Sequence, residues 1–324
     1  METAFQIIAG LVLLTLGGEG IVRGAVGVAR KLGVSELVIG LTLVGFGTST
    51  PELITSLNAA AAGSPGIAVG NVIGSNIGNI LLICAIVAIV TPIAVDPKAI
   101  KRDGLIMVGV SVLFVALALM VGELSRLVGL IYVAGLIGYI AFAFWSERKG
   151  GPAAELHEAE AHSHDPPPDA LWLSLVFAVG GLALLIFGAD FLVKGAVTLA
   201  QLAGLSETII GLTIVAIGTS LPELVASLAS ALKGRSDVAF GNIVGSNIYN
   251  ILGILGITAI IAPVPIPPDM VMRDYIAMIG AAVLFLFHAW TGGRISRAEG
   301  GVLLALYVVY CYFLLNPTGG PIAL

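Results

Sequence analysis

The chain has 324 residues, of which 58% are hydrophobic and only 11% charged, against roughly 45–50% and about 25% in soluble proteins. A mean hydropathy of +1.05 and 42 glycines, a residue that membrane helices tolerate well, exclude a pair of soluble domains and imply a chain solvated mainly by lipid. The net charge of −5, with 15 scattered Lys and Arg, speaks against a nucleic-acid partner; Cys84 and Cys311 sit in apolar runs and exclude a disulfide scaffold or a Cys-based metal site.

A helix needs about 20 apolar residues to cross a bilayer. Ten segments meet or approach this. They lie near Ala4–Val28, Leu37–Ala62, Ile67–Val90, Leu105–Met120, Leu124–Trp145, Leu171–Ala200, Thr208–Leu232, Val238–Ile261, Tyr275–Trp290 and Gly300–Leu315. The N-terminus METAFQ lacks a basic n-region, so a removable signal peptide is not expected. Turn clusters such as Gly63-Ser64-Pro65, Asp96-Pro97-Lys98 and Gly292-Gly293 separate the segments. Residues 146–170 are polar and acidic and read as a linker. Its His157, His162 and His164, set among carboxylates, offer a second reading as a divalent-metal sensor.

The sequence overlays itself when shifted by 171 residues. GLTLVGFGTSTPEL at Gly40–Leu53 meets GLTIVAIGTSLPEL at Gly211–Leu224, and GNVIGSNIGN at Gly70–Asn79 meets GNIVGSNIYN at Gly241–Asn250. Between Gly40 and Asn79, 22 of 40 positions are identical without a gap. The expected fold is therefore an all-α polytopic membrane protein with ten transmembrane helices, built as two five-helix repeats over 1–145 and 171–324. Five crossings is an odd number, so the second repeat is expected to enter the membrane inverted.

Loop charges test that expectation, because Lys and Arg accumulate on cytoplasmic loops. Arg30, Lys31, Lys98, Lys101, Arg102, Arg148, Lys149, Lys233, Arg235, Arg294 and Arg297 fall after odd-numbered helices; Arg126 and Arg273 fall on the other side. The linker is then cytoplasmic and both termini are outside, in a multi-pass inner-membrane protein. Arg30-Lys31 correspond to Gln201-Leu202, whereas Ala62 and Ser64 correspond to Lys233 and Arg235. Equivalent loops have exchanged charge, as inversion requires.

Glu52 and Glu223 occupy the middle of the second and seventh expected helices. A carboxylate at that depth costs about 2.5–3.5 kcal/mol on insertion scales, so two at matched positions imply a midplane site. Thr48 and Glu52 are four residues apart on one helix face, with Ser49 beside them. Pro51 and Pro222 have no N–H to give to the carbonyls of Gly47 and Gly218, so both helices are expected to kink and release backbone oxygens. Such irregularity is tolerated at membrane depth where it lines a cavity or is covered by protein. Ser75 with Asn79, and Ser246 with Asn250, place neutral oxygens on one face of the third and eighth helices. Gly70 with Gly74, and Gly241 with Gly245, form small-residue stripes that allow close helix packing.

Ca²⁺ takes 6–8 oxygen ligands, and two bidentate glutamates with two released carbonyls reach the lower figure while cancelling the divalent charge. Mg²⁺ fits less well, because it sheds water reluctantly. No Cys, His or Met lies within the motifs, which disfavours Zn²⁺ and Cu⁺. The Thr, Ser, Asn and carbonyl oxygens could equally hold Na⁺.

GTSTPE with GNVIGSNIGN, repeated as GTSLPE with GNIVGSNIYN, resembles the paired motifs of the sodium/calcium exchanger family, and the likeness spans the whole ten-helix layout. It implies a secondary antiporter exchanging Na⁺ for Ca²⁺. It also implies a Ca²⁺ site between Glu52 and Glu223 with the Thr48 and Thr219 carbonyls. Na⁺ sites would use side chains of Thr48, Ser49, Ser75, Thr219, Ser220 and Ser246 and the carbonyls of Gly45 and Ala216, and the remaining polar positions map to Asn79 and Asn250. Some members carry Asp where this chain has Asn250. No cofactor and no protein partner is expected, only the transported Ca²⁺ and Na⁺ and the bilayer. Two rivals stand beside this reading: an H⁺/Ca²⁺ antiporter using the same glutamates, and a passive cation channel. An intramembrane hydrolase is not expected, since the motifs offer no Ser–His–Asp set and His288 is the only His outside the linker.

Overall fold

A computed structural model of the chain describes residues 2–61, 65–148, 170–202, 216–266 and 272–315. In chain order its helices are α1 (Glu2–Leu32), α2 (Glu36–Thr48), α3 (Thr50–Ala61), α4 (Gly66–Val90), α5 (Pro97–Val121) and α6 (Arg126–Arg148). Then come α7 (Leu171–Leu202), α8 (Ala216–Thr219), α9 (Leu221–Leu232), α10 (Ser236–Ile261), α11 (Met272–Gly292) and α12 (Arg297–Leu315). Among the described residues, eight helices are long and apolar enough to cross a membrane, and the bent pair α2–α3 makes a ninth. The seventh expected helix is described only from Ala216, as α8 and α9. His157, His162 and His164, with most of the expected linker, lie outside the described residues.

Two details depart from expectation. α5 begins at Pro97 rather than Leu105, so Lys98, Lys101 and Arg102 are helical and not loop residues. The Asp96 carboxylate accepts the Lys98 N–H at 2.8 Å, and Pro97 suits the first turn because its missing N–H would have no partner there. The fold is also not purely helical. Two-residue strands β1 (Ile93–Ala94), β2 (Glu123–Leu124), β3 (Val264–Pro265) and β4 (Arg294–Ile295) tie helix ends together. β1 pairs antiparallel with β4, Ile93 opposite Ile295, and β2 with β3, Leu124 opposite Val264. Gly122 (φ 70°) and Gly293 (φ 61°) end α5 and α11 and turn the chain into β2 and β4. Glycine takes that left-handed conformation at little cost.

The centre belongs to α4 and α10. Of their most apolar stretches 72% and 83% are buried, against 11–39% for the other six long helices. Helices apolar all round are the ones a fold can bury completely. Ile73, Ile77 and Ile80 of α4 meet Ile248, Ile251 and Leu255 of α10 in one core, with Phe114, Tyr275 and Phe285 around them. α10 lies backbone against backbone on α2: a Cβ at Gly245 would stand 2.2 Å from the Leu41 carbonyl oxygen. Nothing described lies within 4 Å of the equivalent point at Gly70 or Gly74. The repeat counterpart of the α2 segment, 208–212, is outside the described residues. Phe5, Leu119, Met120, Trp172 and Phe287 are more than half exposed on the outer surface, as a lipid-facing surface permits and water does not.

Candidate functional site

The helix break opens at the serines, two residues ahead of each proline. Ser49 has φ −80°, ψ 11° and Ser220 φ −92°, ψ 8°. Both lie in the sparsely populated bridge region that active-site residues often use. α2 and α3 meet there at 43°. Pro51 and Pro222 then sit in the first turns of α3 and α9, where a missing N–H does no harm. The two breaks thus place Glu52 and Glu223 in first turns, three residues after the serines.

Both carboxylates are buried, Glu52 to 1% and Glu223 to 2% exposure. Each is held from the other half of the chain. Ser49 Oγ donates to Glu223 Oε1 at 3.0 Å, and Ser220 Oγ to Glu52 Oε1 at 3.4 Å. The second oxygen of each, Glu52 Oε2 and Glu223 Oε2, is buried with no hydrogen-bond partner among the described residues. Among the described residues no Lys or Arg pairs with either. Buried carboxylates in proteins are normally paired, bound to a cation or neutralised by a proton, so this arrangement can accept positive charge as a cation or as protons.

The other expected residues surround this pair unevenly. Ser246 Oγ donates to the Gly45 carbonyl at 3.0 Å. The Thr48 hydroxyl lies 3.0 Å from the Val44 carbonyl and 3.1 Å from Asn242 Oδ1. Asn250 Nδ2 donates to Asn76 Oδ1 at 2.9 Å; among the described residues Asn250 Oδ1 and Asn79 Nδ2 are buried without a partner. Asn79 and Asn250 each open a wider, π-helical turn, Asn79–Cys84 and Asn250–Leu255, a distortion common at functional sites. Ser75 is buried on α4 but makes none of the bonds that join the glutamates. Thr219 is half-buried, and of Ala216 only the helical backbone is described.

Sequence reading missed four contributors. Asn71 Nδ2 donates to the Glu52 carbonyl at 3.1 Å and to Ser56 Oγ at 3.0 Å; Asn242 Nδ2 donates to the Glu223 carbonyl at 3.1 Å and to Ser227 Oγ at 2.8 Å. The signal was present, because Asn71 and Asn242, and Ser56 and Ser227, are also 171 residues apart.

A buried carboxylate pair between broken apolar helices is an arrangement that cation transporters use. The chain belongs to the sodium/calcium exchanger protein family, whose profile matches residues 3–145 and 173–316. It is similar to CaxA of Alkalimonas amylolytica, 42% identical over 96% of this chain and 98% of that protein. It is also similar to the sodium/calcium exchanger MaX1 of Methanosarcina acetivorans, 34% identical over 95% and 97%. The Ca²⁺/H⁺ antiporter ChaA of Bacillus subtilis is a more distant relative, 26% identical over 85% and 83%. Among solved structures, the sodium-calcium exchanger NCX_Mj matches with a TM-score of 0.83 at 31% identity, covering 97% of this chain and 99% of that one.

Proposed function

We propose that the protein exchanges Na⁺ for Ca²⁺ across the inner membrane by alternating access around Glu52 and Glu223. The observation that carries this reading is the pair of buried, cross-tethered carboxylates, each with one oxygen unpartnered. Two carboxylates cancel the charge of one Ca²⁺, and the carbonyls of Thr48 and Thr219 add hard oxygen ligands. When Ca²⁺ leaves, Na⁺ ions take its place beside Thr48, Ser49, Ser75, Thr219, Ser220, Ser246, Asn79, Asn250 and the carbonyls of Gly45 and Ala216. Occupancy by one ion excludes the other, which is the condition for exchange rather than leak.

Ten helices in two inverted repeats, 1–145 and 171–324, suit this mechanism, because such repeats rock around a fixed midplane site. The strand pairings support inversion. β1 and β3 are repeat equivalents, as are β2 and β4, yet β1 pairs with β4 and β2 with β3. A loop of one repeat therefore meets the non-equivalent loop of the other, as expected when one copy is upside down. On this reading the loop charges put the linker 146–170 in the cytoplasm and both termini outside. Helical spans favour an inner membrane, since outer-membrane proteins are closed barrels.

The H⁺/Ca²⁺ reading draws support from the likeness to ChaA. Uptake of ⁴⁵Ca²⁺ into vesicles preloaded with Na⁺, K⁺ or choline, with and without a pH gradient, separates the two. Uptake should follow outward Na⁺ gradients and disappear in Glu52→Gln and Glu223→Gln proteins that still insert. Uptake that ignores Na⁺ but follows the pH gradient refutes Na⁺ coupling; wild-type uptake in either variant refutes the site.

A further inference from the structure

We propose that Asn71 and Asn242 are positioning residues that aim the two glutamates from behind. The inference rests on the reading that Glu52 and Glu223 hold Ca²⁺, and goes beyond it to how they are oriented. Each carboxamide nitrogen carries two protons and uses both. Asn71 on α4 reaches the Glu52 carbonyl (3.1 Å) and Ser56 Oγ (3.0 Å) on α3. Asn242 on α10 reaches the Glu223 carbonyl (3.1 Å) and Ser227 Oγ (2.8 Å) on α9. Each bond pair pins the backbone of a glutamate to the central helix beside it. The carboxylate is then left to be set by its own rotamer and by the serine across the site.

Asn242 does one thing more. Its Oδ1 lies 3.1 Å from the Thr48 hydroxyl, which also has the Val44 carbonyl at 3.0 Å and the Gly45 carbonyl at 3.3 Å. A hydroxyl has one proton, so Thr48 serves one of these acceptors at a time. When Asn242 takes that proton, a single side chain links the last residue of α2, beside the break, to the backbone of Glu223. Asp at this position would keep the acceptor and lose both donors; a hydrophobic residue would lose all three bonds.

The test uses the purified full-length protein. Thermal unfolding is followed with and without Ca²⁺, and Ca²⁺ half-saturation is measured by flux in proteoliposomes. Glu223→Gln is the control for the site and should abolish the Ca²⁺-induced rise in midpoint. Asn242→Ala and Asn242→Asp should raise Ca²⁺ half-saturation about tenfold or more, the usual effect of losing a partner that orients metal ligands, and should shrink the Ca²⁺-induced rise. Asn71→Ala should do so less, because Asn71 lacks the further contact that Asn242 makes with Thr48. A merely structural role would lower the midpoint equally with and without Ca²⁺ and leave half-saturation at the wild-type value; that result overturns the proposal. If Asn242→Ala fails to fold, Asn71→Ala and Ser227→Ala carry the same comparison. Loss of the Ca²⁺ response in Glu223→Gln alongside wild-type behaviour of the asparagine variants refutes only the positioning role. A full Ca²⁺ response in Glu223→Gln refutes the site itself.

Discussion

Gly180 and Gly181 are neighbours on α7, and we predict that changing each to Ala has opposite effects. A Cβ at Gly181 would stand 2.3 Å from the Ile21 backbone nitrogen and 2.9 Å from the Gly17 carbonyl oxygen of α1; at Gly180 nothing among the described residues lies within 4 Å. Ordinary contact begins at 3.4 Å, so the Gly181 methyl would have to drive α1 and α7 about 1 Å apart, because backbone cannot rotate out of the way. Overpacking costs roughly 1–3 kcal/mol, and a clash with backbone belongs at the upper end. Replacing helical Gly by Ala returns about 1 kcal/mol. Gly181→Ala should therefore destabilise by about 2 kcal/mol and Gly180→Ala stabilise by up to about 1 kcal/mol. The displacement also reaches the candidate site. α1 packs on α9, where a Cβ at Gly18 would lie 3.0 Å from Val225 Cγ1, two residues beyond Glu223. Thermal unfolding of the detergent-solubilised variants, with Ca²⁺ flux measured in parallel, decides the matter. Equal midpoints for the two variants, or a Gly181→Ala protein at least as stable as wild type, would refute the close packing of α1 on α7.

Two further predictions concern ions and topology. Ser246→Ala removes the hydroxyl that donates to the Gly45 carbonyl at 3.0 Å and should weaken the Na⁺ dependence of flux more than the Ca²⁺ dependence; an equal loss in both would remove Ser246 from the Na⁺ sites. In a background without Cys84 and Cys311, an impermeant thiol reagent should reach Arg235→Cys from the cytoplasm and Ser64→Cys from outside, and the same sidedness for both would end the inverted-repeat reading.

Much of this protein is legible in one dimension, for definite reasons. The bilayer excludes water, so crossing segments announce themselves as long apolar runs, and α4, α7 and α10 begin within two residues of expectation. A carboxylate inside a long apolar run is costly, which makes Glu52 and Glu223 stand out in the sequence without any contact. The duplication doubled each motif and so separated the GTSxPE residues from background. What the chain order could not provide was partnership between the halves. That Ser49 serves Glu223 while Ser220 serves Glu52, that Asn242 reaches Thr48, and that β1 seeks β4 are contacts between residues about 168 to 202 positions apart. A helical pattern records which face of a segment is apolar, not which helix covers it. The break fell at Ser49 and Ser220 rather than at the prolines, because a proline disturbs the turn that precedes it and fits the first turn of the helix that follows. Asn71 and Asn242 escaped notice because a side chain that acts on a neighbour's backbone has no local sequence partner. Only the packing of α4 on α3 and of α10 on α9 brings their amides to the glutamate carbonyls.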